Sequence, residues 1–366
     1  MERRIAVAAC QMDAEVAATS VRLERAARLI EGAAKDGARL VALPELFNTG
    51  YALGEEIVGA AEPIDGPTVD FLVDQAQQYG IVVAGSLLVR DAGEVFNALV
   101  VAGRDGRTWR YDKCFPWAWE RSTFARGAGP VIAETELGRI GLIVGWDAAH
   151  PSVWAHYAGR VQLVATVSCP LDVSGARYRL EDGRAFAGVE LPWARGFVGI
   201  EQRLFSQMVP EQAKWLGVPV IGTGACGRFT VAIPGGEVIT ALHAVKRPRA
   251  WSSVVSRAGV EAHGEPTAAT LVDDAAERRG ARIDVTAGET YVVSEIAVPG
   301  HPPSPTGPQP PTRVPKAALL LSDHVVPRLM EPIYASNRDR AHGTVPRDLA
   351  SRLKTMLRPT SRRGPR

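Results

Sequence analysis

Arg139-Ile140-Gly141-Leu142-Ile143-Val144-Gly145-Trp146-Asp147 is a short apolar run that stops abruptly at a glycine and a Trp-Asp pair. Its length and its bounds mark a buried strand ending in a tight turn. The stretch Ser152–Ala158 that follows reads as the start of a helix, so the turn sits between a strand and a helix. Upstream, Val131–Thr135 pairs with this strand around Gly138, and downstream Leu163–Val167 is another buried strand. The same alternation runs back to the N-terminus. Arg4–Gln11 and Arg39–Leu43 are apolar runs, and between them Ser20–Lys35 sets Leu23, Ala26, Ala27, Ile30 and Ala34 on one helical face, with Ser20 expected as N-cap. Pro67 opens a second helix over Thr68–Tyr79. Ile81–Val89 and Val95–Val101 are strands on either side of Asp91-Ala92-Gly93, and Arg107–Tyr111 is a further strand. Val218–Gly222 and a hairpin of Phe229–Ile233 with Val238–Thr240 complete the order. Helices between strands, with a few tight hairpins, predict an α/β sandwich with a mixed sheet.

Three stretches break the order. Gly175–Gly188 is polar and reads as irregular, Lys246–Arg282 is charged and poor in helix signals, and Pro299–Pro315 reads as a proline-rich linker. Beyond it, Ala317–Met330 is an amphipathic segment interrupted at Pro327, expected to dock on the body or on a partner subunit. The expected division is therefore a main domain over 1–298, a linker over 299–315, and a C-terminal segment with a basic tail over 316–366.

A chain of 366 residues, 46% hydrophobic and 22% charged, has the composition of an ordinary globular protein. No apolar run approaches the roughly 18 residues of a membrane span. The apolar start ends too soon, at Gln11-Met12-Asp13, for a signal peptide, so a buried first strand and a cytoplasmic protein are expected. Cys10, Cys114, Cys169 and Cys226 show no paired spacing, which points to neither a disulfide framework nor a metal site, and no cofactor is expected. The net charge of +2 is unevenly spread: residues 337–366 carry +7 and the rest −5. No aromatic residue lies between the tail's charges, so a solvated tail is preferred over a nucleic-acid-binding one.

Four islands carry candidate chemistry. Val41-Ala42-Leu43-Pro44-Glu45 presents a carboxylate at a strand exit, and Trp109-Arg110-Tyr111-Asp112-Lys113 presents an amine at another. Trp119-Glu120-Arg121 offers a second carboxylate in a loop, and the fourth island is the strand ending at Gly145-Trp146-Asp147. Each alone is an ordinary solvated arrangement. In this order and at these separations they resemble the nitrilase superfamily of carbon–nitrogen hydrolases, a likeness that covers about Arg3 to Ile296. Val95-Phe96-Asn97-Ala98 looks like the family's aromatic-Asn strand, and Phe124 to Gly127 like its Phe-x-Pro-Gly element with Arg126 in place of proline.

The resemblance implies a four-layer αββα sandwich that forms a homodimer or a higher homo-oligomer, and a small-molecule amide, carbamoyl or nitrile ligand. It implies Glu45 as general base, Lys113 as the cation that stabilises an oxyanion together with the Trp146 backbone N–H, and Glu120 as a positioning carboxylate. The family's nucleophilic cysteine falls on Gly145, and Asp147 resembles the amidase branch. A glycine has no side chain to form a thioester, so hydrolysis by that route is not expected. A non-catalytic relative, a Cys→Gly variant and a protein of different chemistry, such as a water activated by Glu45, all fit the pattern. So does a binding or scaffold subunit.

Cys169, in Ser168-Cys169-Pro170 after a strand, is the one candidate for a relocated nucleophile, with packing as its plainer reading. Cys114 adjoins Lys113 and should face the other way, and Cys10 reads as core. Phe47, Tyr51, Trp117, Trp119 and Trp146 flank the islands and read equally as substrate walls or core fill. His150 stands where the family has phenylalanine and reads as structural. Gly175–Gly188, with Tyr178, Arg179 and Arg184, reads as an insertion ahead of an anion-binding lid.

Overall fold

The structure, a computed structural model, describes residues 2–53, 55–169, 177–180, 183–187, 197–200, 202–226, 228–233, 236–241, 253–255 and 289–340. Of the stretch 246–282 only Ser253–Val255 falls within these, and the basic tail after 340 lies outside them.

Strands β1 (Arg3–Asp13), β2 (Leu40–Ala42), β3 (Val82–Asp91), β4 (Glu94–Ala102) and β5 (Thr108–Asp112) alternate with helices α1 (Thr19–Lys35) and α2 (Pro67–Tyr79). Strands β6 (Ile132–Thr135), β7 (Gly138–Val144) and β8 (Leu163–Ser168) follow, with helix α3 (Pro151–Tyr157) before β8. The short strands β9 (Arg177–Leu180) and β10 (Ala185–Ala187) precede helix α4 (Val209–Leu216) and strand β11 (Val220–Cys226). Four strands complete the set: β12 (Arg228–Ile233), β13 (Gly236–Ala241), β14 (Ser253–Val255) and β15 (Thr290–Val298). The large sheet runs β5-β4-β3-β2-β1-β11-β8-β7-β6, with β15 on β1 and β14 on β11. It folds into two halves because β1 meets β11 only through Met12–Ala225 and Asp13–Cys226.

Strand alternation sorts the core into layers. Val7 and Ala9 of β1 face Leu142, Val144 and Ala165 between the two sheet halves. Ala8 and Cys10 face the other way, against Leu29 and Ile30 of α1 and Leu72 of α2. On the far side, Ile143 and Val164 meet Trp154 of α3 and Ala213 of α4. Helices, sheet, sheet, helices: the four-layer αββα sandwich is the observed fold. A two-residue turn with Ala92 at φ 48° and Gly93 at φ 80° joins β3 to β4, the left-handed geometry a tight hairpin requires.

Several expectations are corrected. Helix α1 begins at Thr19 after Ala18, with no side-chain cap, so Ser20 lies inside it. The stretch 175–188 is not wholly irregular: β9 and β10 pair with each other, and β9 pairs with β13 in a four-stranded sheet. The C-terminal segment is helical from α5 (Lys316–Leu320) through a π-helical turn (Leu321–Val325) to α6 (Val326–Arg340). Pro327 does not interrupt it: it is the second residue of α6, where a proline is tolerated, and the helix runs on past it.

The proline-rich stretch lies against the body. Trp215 Nε1 donates to the Gly307 carbonyl at 3.2 Å, and Thr306 N to the Trp215 carbonyl at 3.0 Å. Gln309 Nε2 reaches the Pro151 carbonyl at 2.7 Å, and Gln212 Nε2 the Pro310 carbonyl at 2.9 Å. Val314, Ala318 and Met330 are buried in the same core cluster as Trp146 and Trp154.

Candidate active site

Four chain turns bring charged groups to one point. After β2 the chain bends at Leu46, whose φ of 53° is rare for a leucine, and Ser86 of β3 holds the bend by accepting the Leu46 N–H at 3.2 Å. Glu45 thereby turns into the interior. Its Oε1 accepts from Asn97 Nδ2 of β4 at 2.8 Å and from Lys113 Nζ at 2.7 Å, and its Oε2 accepts the Cys169 N–H at 2.8 Å. Ser86 Oγ in turn donates to Asn97 Oδ1 at 2.6 Å, which fixes the way the Asn97 amide faces.

Lys113 leaves the end of β5, with its N–H on the Asn97 carbonyl at 2.9 Å. The loop through Gly127 locks it from behind. Gly127 N donates to the Lys113 carbonyl at 2.9 Å, and a Cβ at Gly127 would overlap the Asp112 carbonyl, so only glycine allows this approach. Glu120 comes from a 3₁₀ turn at Ala118–Ser122 and accepts from Lys113 Nζ at 2.7 Å, Tyr51 OH at 2.7 Å and Trp117 N at 2.6 Å.

Gly145 follows β7 at φ 49°, and a Cβ built on it would lie 2.8 Å from Glu45 Oε2 and 3.0 Å from Lys113 Nζ. The turn is anchored by Asp147, fully buried, which accepts from Tyr111 OH at 2.6 Å, Phe115 N at 2.6 Å and Cys114 N at 3.2 Å. Since Tyr111, Cys114 and Phe115 flank Lys113, Asp147 ties the position of Gly145 to that of the ammonium.

Glu45, Lys113 and Glu120 are each no more than 3% exposed. Burial by itself would lower the Lys113 ammonium, but Glu120 and Glu45 outweigh it and hold it above the ordinary lysine value. One ammonium cannot balance two carboxylates. Burial, with Glu120 adding to it, raises Glu45 above the usual glutamate range despite Lys113 and Asn97. Burial likewise raises Asp147.

A cavity opens above these groups. Glu45, Lys113, Glu120, Gly145, Ser168 and Cys169 form its polar side, while Tyr51, Trp117, Trp146, Phe197, Leu204 and Phe205 are among its apolar walls. Such a vessel suits a small ligand held by few polar contacts.

Of the residues singled out in the sequence, Glu45, Lys113, Glu120, Gly145, Tyr51, Trp146 and Cys169 converge here. Phe47 does not. The left-handed turn at Leu46 sends it into the helix-side layer, where it lies over Gly85 and 6.4 Å, centroid to centroid, from Phe71. Trp119 is also buried in the core, while Trp117 lines the cavity. A 3₁₀ turn repeats every three residues, so Trp117 shares a side with Glu120 and Trp119 does not.

Cys114 lies in the layer between the sheet halves, and Cys10 among the helix-side residues. The Cys169 thiol borders the cavity, but burial, Glu45 and Glu120 all raise it well above its ordinary value, which opposes thiolate formation. Asn97 and Ser86 were not assigned a role from sequence. Their signal is a lone polar residue in an otherwise apolar buried strand. Phe197, Leu204 and Phe205 carried no such signal.

With this geometry, comparison with known proteins is informative. The family model for carbon-nitrogen hydrolases matches residues 6–181. A nitrilase of Pyrococcus abyssi is 31% identical over 151 residues, which are 40% of this chain and 58% of that protein. The chain thus spans little more than half the length of that relative. An omega-amidase of Bos taurus is 30% identical over 237 residues, 60% of this chain and 78% of that one. A double mutant of the amidase from Nesterenkonia sp. AN1, in complex with acrylamide, shares the fold at a TM-score of 0.55 and 18% identity, over 81% of this chain and 91% of that one. On these sequence likenesses, the chain belongs to the carbon–nitrogen hydrolase family.

Proposed function

We propose that this protein binds a small carboxamide, carbamoyl or nitrile compound in the cavity beside Gly145, and that the chain as it stands does not cleave it through a thioester. One observation carries the reading: the point where a nucleophile's Cβ would stand, 2.8 Å from a carboxylate oxygen and 3.0 Å from an ammonium, belongs to a glycine. The polar groups suit the ligand class. Glu45 accepts from an amide N–H, the Lys113 ammonium donates to a carbonyl oxygen or nitrile nitrogen, and the aromatic walls enclose the remainder. Among the relatives, an amidase holds acrylamide, and others act as nitrilases and omega-amidases. A cytoplasmic homodimer is part of the same reading, and among the described residues no helix is long and apolar enough to cross a membrane.

Hydrolysis by a water that Glu45 activates is the second reading. The geometry favours it, since Glu45 Oε2 lies 2.8 Å from the point where a Cβ at position 145 would stand, so the space a side chain leaves there adjoins a carboxylate. A nucleophilic Cys169 is disfavoured by the raised thiol.

Gly145→Cys tests the proposal. The left-handed backbone makes any L-residue here cost about 1–2 kcal/mol, and the Glu45 carboxylate must give way by a few tenths of an ångström. The new sulfur then lies between base and cation. Ammonia release from an amide and nitrile panel is expected to rise from background by orders of magnitude, since losing a hydrolase nucleophile costs on the order of 10⁶ in turnover. Intact mass should show an acyl adduct on the variant and none on the parent. A folded variant with a reactive thiol that stays silent with every compound would leave only a binding or scaffold role. An adduct on Cys169 of the parent would establish the relocated nucleophile.

A further inference from the structure

Behind the cavity's aromatic wall sits a carboxylate that the chemistry above does not use. Asp323 lies in the π-helical turn between α5 and α6, 177 residues along the chain from Trp146. Its Oδ1 accepts the Trp146 indole N–H at 2.9 Å, and its Oδ2 lies 2.9 Å from His150 Nε2. The other ring nitrogen, Nδ1, is 3.1 Å from the Trp146 carbonyl. The His150 ring stacks on Phe115 at 3.6 Å and 8°, and the Phe115 N–H is one of the donors to Asp147. The side chains of Asp323 and His150 are about nine-tenths buried.

Trp146 is therefore held by this carboxylate directly, at the tip of its indole, and His150 stands between the same carboxylate and the Trp146 backbone carbonyl. It is also a wall of the cavity and the residue next to Gly145. The same helical segment holds the Glu120 turn from outside, where the Arg121 guanidinium lies 5.5 Å from the Tyr334 ring centre. We propose that Asp323 is a positioning residue of this cavity, reaching in from the C-terminal helix to fix the Trp146 wall and the turn beside Gly145. Its effect on ligand affinity rests on the proposed binding role, whereas its hold on Trp146 does not.

A carboxylate only accepts hydrogen bonds, so Asp323 takes the Trp146 indole N–H on one oxygen and offers the other to the His150 ring. An asparagine keeps one oxygen for the indole and turns an amide N–H₂ toward His150, while alanine offers neither. The full-length chain is compared as parent, Asp323→Ala and Asp323→Asn by ¹⁵N–¹H NMR of its eight tryptophan indoles, with the Trp146 signal assigned by its loss in Trp146→Phe. In Asp323→Ala the Trp146 indole N–H is expected to move upfield and to exchange with water at least about tenfold faster, with Asp323→Asn close to the parent. Benzamide titrated against the same signal is expected to bind about tenfold more weakly to Asp323→Ala and within about threefold of the parent to Asp323→Asn. Should the alanine chain fail to fold, Asp323→Ser carries the comparison. An unmoved, equally protected Trp146 signal in the alanine or serine chain overturns the proposal, as does equal benzamide affinity in all chains. If no chain binds benzamide, the loss falls on the ligand reading, and the indole signal alone decides whether Asp323 holds the wall.

Discussion

Replacing Lys113 by methionine removes the one cation between two buried carboxylates and keeps most of the side-chain volume. The structure shows what remains. Glu45 retains Asn97 Nδ2 and the Cys169 N–H, each at 2.8 Å, and Glu120 retains Tyr51 OH at 2.7 Å and Trp117 N at 2.6 Å. Neither carboxylate is stripped of hydrogen bonds, so the penalty is that of uncompensated charge. Breaking a buried pair in this way costs about 3–5 kcal/mol, a large part of a domain's typical ~5–15 kcal/mol. The penalty depends on pH, with a definite sign. Glu45 is already raised by burial, and loss of Lys113 removes the leading influence that lowers it. A carboxyl raised in the folded state binds more protons there than when unfolded, so stability is greatest at or below the ordinary glutamate value and falls as pH rises through the folded value. The slope is limited to ~1.4 kcal/mol per pH unit for one proton. Urea unfolding of parent and variant at about pH 5.5 and about pH 8 measures it, and the variant's deficit should be the larger at the higher pH. Adding Glu45→Gln should recover much of the deficit at about pH 8 and little at about pH 5.5. A deficit under about 1 kcal/mol that is flat with pH and indifferent to Glu45→Gln would refute the buried, charge-surplus site.

Two further outcomes follow from the same contacts. Ending the chain at Val298 removes the partners of Trp215, Gln212 and Trp146, so the unfolding midpoint should drop by at least about 5 °C in a thermal melt, and an unchanged midpoint would favour a dispensable linker over 299–315. Replacing the whole cluster, with Glu45→Leu, Lys113→Met and Glu120→Leu together, should cost less stability in urea unfolding than Lys113→Met alone, and a larger loss would show the cluster to be a structural support.

The features legible in the sequence are those with local causes. A strand alternates with period two, and that alone sends Val7 and Ala9 into the layer between the sheet halves and Ala8 and Cys10 toward the helices. Pro67 and the left-handed Gly80 bracket α2 where the pattern begins and ends. What failed has causes that local pattern does not register. Phe47 went to the wrong side because a leucine before it takes a left-handed φ, a conformation paid for by the Ser86 contact from another strand. Trp117 and Trp119, read alike in the sequence, part company because the loop is a 3₁₀ turn of period three. Asp323 had no signal at all, since a carboxylate in an amphipathic helix looks solvated until a distant indole and imidazole are found against it. The strands at 177–180 and 185–187 escaped because they are short and set among glycines and arginines that resemble a loop, and only their pairing with each other, and of β9 with β13, makes them strands.

The energetics bear on what the site is for. A buried Glu–Lys–Glu cluster is a poor way to stabilise a sandwich, because desolvation consumes most of the attraction and apolar side chains of equal volume do as well or better. Here the cluster even carries one negative charge too many, and Glu45 bears the consequence. Yet the surroundings serve it closely: Ser86 orients Asn97, Gly127 admits a backbone behind Lys113, Asp147 ties the Gly145 turn to the lysine strand, and Asp323 grips the neighbouring wall. None of these supports is needed to bury apolar surface, which the three core layers achieve without them. They make sense as parts of a preorganised polar floor for a ligand, whose carbonyl and N–H groups would engage the surplus charge and the ammonium. The glycine at the centre removes the attacking atom from that floor and leaves the rest of it in place.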